Sequence, residues 1–146
     1  MLDRILGPKR SAEVIIEQPI DLVWEVVTDT GNFHDFMVGA WSWESFDRDR
    51  AVAGMSFKRT IARAEDNYKV HERIYYIVNW EPPHRFSMGP DPETWDYDFS
   101  LTELGEKTKV RVTRQLGWRG RLIPSQGIVD DIANNLRTKL MLRNAG

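Results

Sequence analysis

Residues 94–116, TWDYDFSLTELGEKTKVRVTRQL, decide the fold class because large apolar residues recur at every second position on both sides of one turn. A period of two is typical of a β-strand with one covered face. Gly105 and Glu106 interrupt the alternation and fit a tight hairpin turn. The stretch therefore predicts an antiparallel hairpin whose covered face carries Trp95, Tyr97, Phe99, Leu101, Val110, Val112 and Leu116.

The predicted pairing of this hairpin places a charge on its covered face. Closing the chain over Gly105 and Glu106 brings Tyr97 opposite Arg114. An unpaired charge in a close-packed core costs several kcal/mol, whereas a hydrated or paired site reduces that cost. We therefore expect the face that carries Arg114 to line a cavity.

A second hairpin is predicted over residues 55–78, MSFKRTIARAEDNYKVHERIYYIV. Its apolar residues also alternate, and the alternation places Arg59 and Glu72 on the apolar face. A short turn at Glu65 and Asp66 would align the two strands. The cross-strand pairs predicted by this turn are Arg59–Glu72, Phe57–Ile74, Met55–Tyr76 and Ile61–Val70.

The remaining segments complete an α+β pattern. Residues 11–18 alternate as a first strand, Pro19 opens a short helix, and a second short helical turn follows it. Residues 41–118 read as strands and turns, which gives six or seven strands in one antiparallel sheet. The stretch from about Pro124 to Arg143 repeats apolar residues every four positions and predicts a long helix that buries Ile128, Ile132 and Leu136. A curved sheet wrapped around this helix is the expected architecture.

Several short motifs, taken in order, carry a resemblance to a known family. They are Pro19, Val23, Trp24, Val27, Asp29 and Phe33 in the first helical region, Gly54, WEPPHRF at residues 80–86, and LTELGEKTKVRVT at residues 101–113. The sequence resembles the START-like, or birch-pollen-allergen-like (SRPBCC), superfamily, in particular its polyketide cyclase/dehydrase and lipid-transport branch. Phe36 departs from the family pattern, in which many members have Trp. The resemblance implies a helix-grip fold with an apolar cavity between the sheet and the C-terminal helix.

Composition excludes several classes of protein. The formal net charge is −2 at pH 7, and no stretch is basic enough to indicate a nucleic-acid surface. The chain has no cysteine, so disulfides and thiolate metal sites are excluded. No apolar run has the length of a membrane span or of a signal peptide. We therefore expect a soluble, cytoplasmic protein with no integral membrane segment.

The sequence gives no sign of a metal, a cofactor or a second domain. The spacing of His34, His71 and His84 does not fit a helical metal pair, and we expect neither a metal nor a cofactor. No linker or repeat divides the chain. Residues 1–146 are expected to form a single START-like ligand-binding domain, with residues 1–10 as a poorly defined N-terminal segment. A monomer and a homodimer are both compatible with the sequence.

The residues predicted to contact a ligand combine inward charges with apolar walls, as ligand pockets do. These residues are Arg59, Glu72, Tyr76, Tyr97, Arg114, Phe57, Ile74, Trp95 and Phe99. Two structural interpretations stand beside this one: the charges extend to solvent at the sheet ends, or they form a buried ion pair. Asp96 and Asp98 are expected on the solvent face of their strand.

Three functions agree with these patterns. In the first, the protein binds a small apolar or amphipathic molecule, lipid or polyketide-like, whose polar end the inward charges orient. In the second, it is a polyketide aromatase/cyclase or dehydratase, in which Arg59 or Arg114 stabilises an enolate and Tyr76, Tyr97 or Glu72 moves a proton. The third is an interaction module with a filled core. The sequence contains no catalytic signature, and the binding function is ranked first.

Overall fold

The computed structural model describes residues 6–29, 32–37, 41–45, 56–63, 69–117 and 126–145. Seven strands and three helices lie in these ranges: β1 (Leu6–Ile16), α1 (Ile20–Thr28), α2 (Phe33–Phe36), β2 (Trp41–Ser45), β3 (Ser56–Arg63), β4 (Lys69–Glu81), β5 (Arg85–Gly89), β6 (Tyr97–Leu104), β7 (Lys107–Gly117) and α3 (Gln126–Ala145). The strands form one antiparallel sheet in the order β1-β7-β6-β5-β4-β3-β2. The predicted α+β helix-grip architecture is confirmed.

Helix α1 begins after Pro19, as the sequence predicts. The Pro19 carbonyl accepts hydrogen bonds from the amides of Leu22 and Val23, both at 3.1 Å. Val23, Val26 and Val27 are buried, because these positions share one face of the helix. The helix therefore anchors the chain that connects β1 to the remainder of the sheet.

Helix α3 lies across β1 and β7 and also contacts α2. Ile132, Leu136 and Leu140 are fully buried, and Ile128 is half-buried against the core. The observed bounds, Gln126–Ala145, lie within two residues of the predicted ones. The four-residue repeat of apolar residues therefore identified both the helix and its buried face.

The β6–β7 hairpin has the predicted register. Tyr97 pairs with Arg114, Phe99 with Val112 and Leu101 with Val110. Gly105 has a φ of +68°, a left-handed conformation that glycine adopts without steric cost. The two-residue turn and the alternation on both strands therefore specify one pairing.

The predicted register of the β3–β4 hairpin is wrong by one residue. Arg59 pairs with Arg73, and Glu72 pairs with Thr60. The two strands are joined after the pair Arg63–Lys69, which leaves five connecting residues where a two-residue turn was expected. Since side chains alternate with a period of two, a one-residue shift reverses the face of one strand.

A bulge in β4 explains why the alternation along that strand misled the prediction. Ile77 pairs with Met88 and Trp80 with Phe86, so the register shifts by one residue between Ile77 and Asn79. An inserted residue reverses the order of inward and outward positions. Tyr75 and Ile77 are consequently buried, whereas Ile74 is 39% exposed.

Aromatic rings fill the core beside the bulge. Phe86 and Phe99 stack at a centroid distance of 4.8 Å, and Phe36 meets Phe99 edge-on at 6.0 Å. Trp24 lies 5.1 Å from Trp80 between ring centroids. The interior near α1 and α2 is therefore packed by large rings in stacked, edge-on and tilted arrangements.

Candidate functional site

Two polar contacts lie beside the aromatic core: one joins Tyr75 of β4 to Asp96, the residue before β6, and the other joins Tyr97 of β6 to Arg114 of β7. We call these four residues the polar cluster. The registers place Arg114, Tyr97, Met88 and Ile77 in one row across four neighbouring strands. Tyr97, Met88 and Ile77 are buried. Along the inner face of the sheet, the row therefore begins with the cation of Arg114 and ends with the apolar side chains of Met88 and Ile77.

The Arg114 guanidinium lies over the Tyr97 ring, with its central carbon 5.5 Å from the ring centroid. This geometry gives a cation–π contact. The Arg114 Nε is buried and has no hydrogen-bond partner within the described part of the chain. Leaving such a donor unsatisfied costs about 1–3 kcal/mol, so an incoming acceptor would recover that free energy.

Tyr75 and Asp96 form the second half of the polar cluster. The Tyr75 hydroxyl donates a hydrogen bond of 2.8 Å to Asp96 Oδ2. Tyr75 is only 5% exposed, and Asp96 is half-buried. A phenol held against a carboxylate in a partly dry environment can deliver or accept a proton.

The loop between β5 and β6 fixes the position of Asp96. The Asp96 amide donates to the Met88 carbonyl at 3.0 Å, and the Asp96 carbonyl accepts from the Gln115 amide at 2.9 Å. A Cβ at Gly89 would lie 1.8 Å from the Thr94 carbonyl oxygen, so this close approach requires glycine. The backbone around Asp96 is therefore held on both sides, as a preorganised site requires.

Of the sequence-predicted ligand contacts, the structure brings together Tyr97, Phe99 and Arg114. All three lie on the core side of the β6–β7 hairpin. Trp95 is half-buried next to this group, and the Lys9 ammonium lies 5.8 Å from its ring centroid. The prediction from residues 94–116 therefore identified one wall of the polar cluster.

The predicted contacts from β3 and β4 do not join this wall as expected. Glu72 and Ile74 are exposed, and Tyr76 is half-buried and adjacent to the inward-facing Tyr75. The expectation that Glu72 and Ile74 face the interior is wrong, because the bulge and the longer connection reverse the face of β4. For Arg59 and Phe57 the structure describes the backbone pairing alone, with Arg73 and Tyr75 respectively.

Sequence reasoning missed Tyr75, misplaced Asp96 and did not predict the burial of Asp98. Asp98 lies on the outer face of β6, as predicted, but it is only 8% exposed and accepts a hydrogen bond of 2.7 Å from Arg85 Nε. Burial raises the pKa of the Asp98 carboxyl, while the Arg85 hydrogen bond opposes that shift. The signal that could have found Tyr75 is the aromatic pair Tyr75–Tyr76, one member of which must face inward on any strand.

The described residues lack two features. They contain no group of three or more His, Asp or Glu side chains that could hold a metal ion. They also include no helix that is long and apolar enough to cross a membrane.

Comparison with known proteins identifies the family. The model of the Activator of Hsp90 ATPase homolog 1-like protein family matches residues 17–138. The chain belongs to this family. Its membership of the SRPBCC/START-like superfamily confirms the resemblance recognised in the sequence. No curated protein matches the sequence.

Solved structures share the fold at low sequence identity. The AHSA1-like protein from Aeromonas hydrophila is 22% identical, with a TM-score of 0.61, over 90% of this chain and 94% of that chain. The Zhui aromatase/cyclase from Streptomyces sp. R1128 is 14% identical, with a TM-score of 0.67, over 94% and 95%. TTHA0849 from Thermus thermophilus is 16% identical, with a TM-score of 0.65, over 93% and 99%. These similarities establish the shared fold.

Proposed function

We propose that the protein binds a small, mostly apolar or amphipathic molecule, lipid or polyketide-like, between the sheet and α3, with the polar end of the ligand at Arg114. The observation that carries this proposal is the buried Arg114 Nε, which has no hydrogen-bond partner within the described residues. A carboxylate, enolate or phenolate oxygen would supply the acceptor that this donor lacks.

The surroundings of Arg114 favour a ligand with an apolar body. Tyr97, Met88 and Ile77 continue the row from Arg114 across the sheet, and all three are buried. Ligand pockets combine such apolar walls with a few convergent polar groups. The polar cluster therefore suits a flat or extended molecule with one acidic end.

Family and fold neighbours agree with small-molecule binding. One structural neighbour is an aromatase/cyclase, and another is a di-domain aromatase/cyclase from the BE-7585A biosynthetic pathway. Because fold alone does not determine function, the assignment to this chain depends on the polar cluster.

Fluorescence titration with emodin, a phenolic anthraquinone, tests the proposal. Arg114→Met should weaken binding about ten- to a hundred-fold, the effect of losing one charge-assisted hydrogen bond. Arg59→Met tests the other predicted anchor, and Glu72→Gln is the control because Glu72 is exposed. Emodin trimethyl ether, which has no acidic oxygen, should bind weakly to the wild type. Unchanged emodin affinity in both arginine variants would refute the charged anchor.

A second candidate function, cyclisation or dehydration of a polyketide-like chain, is supported by the Tyr75–Asp96 hydrogen bond. Arg114 would stabilise an enolate oxygen while the Tyr75 hydroxyl exchanged a proton, with Asp96 orienting the phenol. Incubation with a linear aromatic-polyketide precursor, followed by mass spectrometry, tests this function. Turnover by the wild type that Tyr75→Phe abolishes and Tyr76→Phe preserves would support catalysis. Binding without turnover would leave the carrier function.

A further inference from the structure

A groove lies outside the polar cluster, between the end of β1 and the C-terminal half of α3. We call it the β1–α3 groove; it has a volume of about 400 Å³. Its buried base includes Ile16 and Leu140, and its apolar sides include Ile15 and Met141. Ile15 is 45% exposed and Met141 is 60% exposed. Two large apolar side chains thus border a concave surface that is large enough for a small ligand.

The two charged residues of the β1–α3 groove differ in whether they have a partner. Glu17 and Arg137 both line it. Glu17 has a cationic partner, since Lys107 Nζ lies 3.4 Å from its carboxylate. No carboxylate among the described residues pairs with Arg137, and the positions three and four residues away on α3 are Asn134, Ala133, Leu140 and Met141, all uncharged. One positive charge is therefore left beside the apolar surface.

We propose that the β1–α3 groove is a second small-molecule site, which binds an aliphatic carboxylate with its anionic head at Arg137 and its alkyl chain against Ile15 and Met141. The occupant follows from charge complementarity, because Arg137 has no carboxylate partner among the described residues, whereas the other charged group of the lining, Glu17, already contacts Lys107. The planar guanidinium can donate two parallel hydrogen bonds to a carboxylate. This site is independent of the polar cluster.

Methyl NMR of the wild-type protein titrated with decanoate tests the proposal. The methyl resonances of Ile15 and Met141 should shift together and saturate, and added salt should weaken the binding because Arg137 is exposed. Decanol should bind about tenfold more weakly, since it lacks the charge. Arg137→Gln should reduce decanoate affinity by about the same factor, and Arg137→Lys should retain part of it.

Two further variants separate this site from its alternatives. Met141→Asp places a negative charge at an exposed position and should abolish decanoate binding without unfolding the protein. Arg114→Met should leave the decanoate titration unchanged, because Arg114 belongs to the polar cluster. Equal affinities for decanoate and decanol, loss of binding in Arg114→Met, or absence of decanoate binding would each overturn the proposal. A wild-type dimer that Met141→Asp dissociates, with decanoate affinity retained, would also overturn it by identifying the groove as an interface between two copies.

Discussion

The β6–β7 and β3–β4 hairpins have similar sequence patterns but differ in what specifies their pairing. Both place an arginine among alternating apolar residues. The first closes over Gly105 and Glu106, and its register follows directly from that turn. The second closes over five residues, and its longer strand contains a bulge between Ile77 and Asn79. Alternation identifies a strand in both cases, but only a short turn fixes which residues face each other.

This difference determines which side chains form the polar cluster. The regular hairpin brings Tyr97 and Arg114 to the core face, where the sequence pattern predicted a ligand contact. The bulged strand instead turns Tyr75 inward and leaves Glu72 and Ile74 exposed. The polar cluster therefore combines residues of the β6–β7 hairpin, which the sequence predicts, with Tyr75 of β4, whose inward position depends on the inserted residue of the bulge.

The largest expected difference between the hairpins is in the cost of removing an aliphatic side chain. Leu101→Ala should reduce the free energy of unfolding by about 2–5 kcal/mol, because Leu101 is 2% exposed. Ile74→Ala should cost less than about 1 kcal/mol, because Ile74 is 39% exposed. Urea denaturation of both variants measures the contrast. Similar losses in the two would restore the original assignment of Ile74 to the core.

Adjacent tyrosines in β4 give the next test. Tyr75→Phe removes the hydrogen bond to Asp96 and should cost about 1–3 kcal/mol. Tyr76→Phe is the matched control, since Tyr76 is half-buried on the opposite face, and it should change stability by less than about 0.5 kcal/mol. Thermal unfolding followed by circular dichroism distinguishes them. A larger loss of stability in Tyr76→Phe than in Tyr75→Phe would contradict the inward position of Tyr75 that the bulge produces.

The turn of the β6–β7 hairpin should contribute a smaller amount. Gly105→Ala forces a Cβ into a backbone conformation with φ of +68° and should cost about 1–2 kcal/mol. No atom lies within 4 Å of the added Cβ, so the cost would come from the backbone alone. Gly105→Asn, a residue better tolerated at positive φ, should cost less. Equal stability of wild type and Gly105→Ala would show that the turn does not specify the register.

These contrasts explain which features the sequence could predict. Local signals predicted three parts of the fold. The two-residue turn predicted the β6–β7 hairpin, the four-residue repeat predicted α3, and Pro19 predicted the start of α1. The bulge in β4 leaves no local signal in the sequence. Ile77 and Trp80 are both apolar enough for the core, so the sequence does not show where the alternation of inward and outward residues is interrupted. Asp96 was misplaced for a related reason: its position depends on hydrogen bonds to Met88 and Gln115, which are distant in sequence.

The smallest expected effect is a change in pH dependence at Asp98, on the outer face of β6. Burial raises the Asp98 pKa above its ordinary value near 3.8, so the folded state binds this proton more tightly than the unfolded state. As pH rises from the pKa of Asp98 in the unfolded state to its higher pKa in the folded state, the contribution of Asp98 to the free energy of unfolding therefore falls. The stability of Asp98→Asn relative to wild type should rise over that interval in thermal melts at successive pH values. A relative stability that falls instead would mean that the Arg85 contact dominates and lowers the pKa.

The Nε–H resonance of Arg114 provides the most direct test of the proposed binding site. It can be assigned in ¹⁵N–¹H spectra of the wild type by its absence from Arg114→Met. Because the Nε has no hydrogen-bond partner within the described residues, saturation with emodin should move this resonance downfield and slow its exchange with water. Unchanged position and exchange at saturating emodin would contradict Arg114 as the group that receives the ligand.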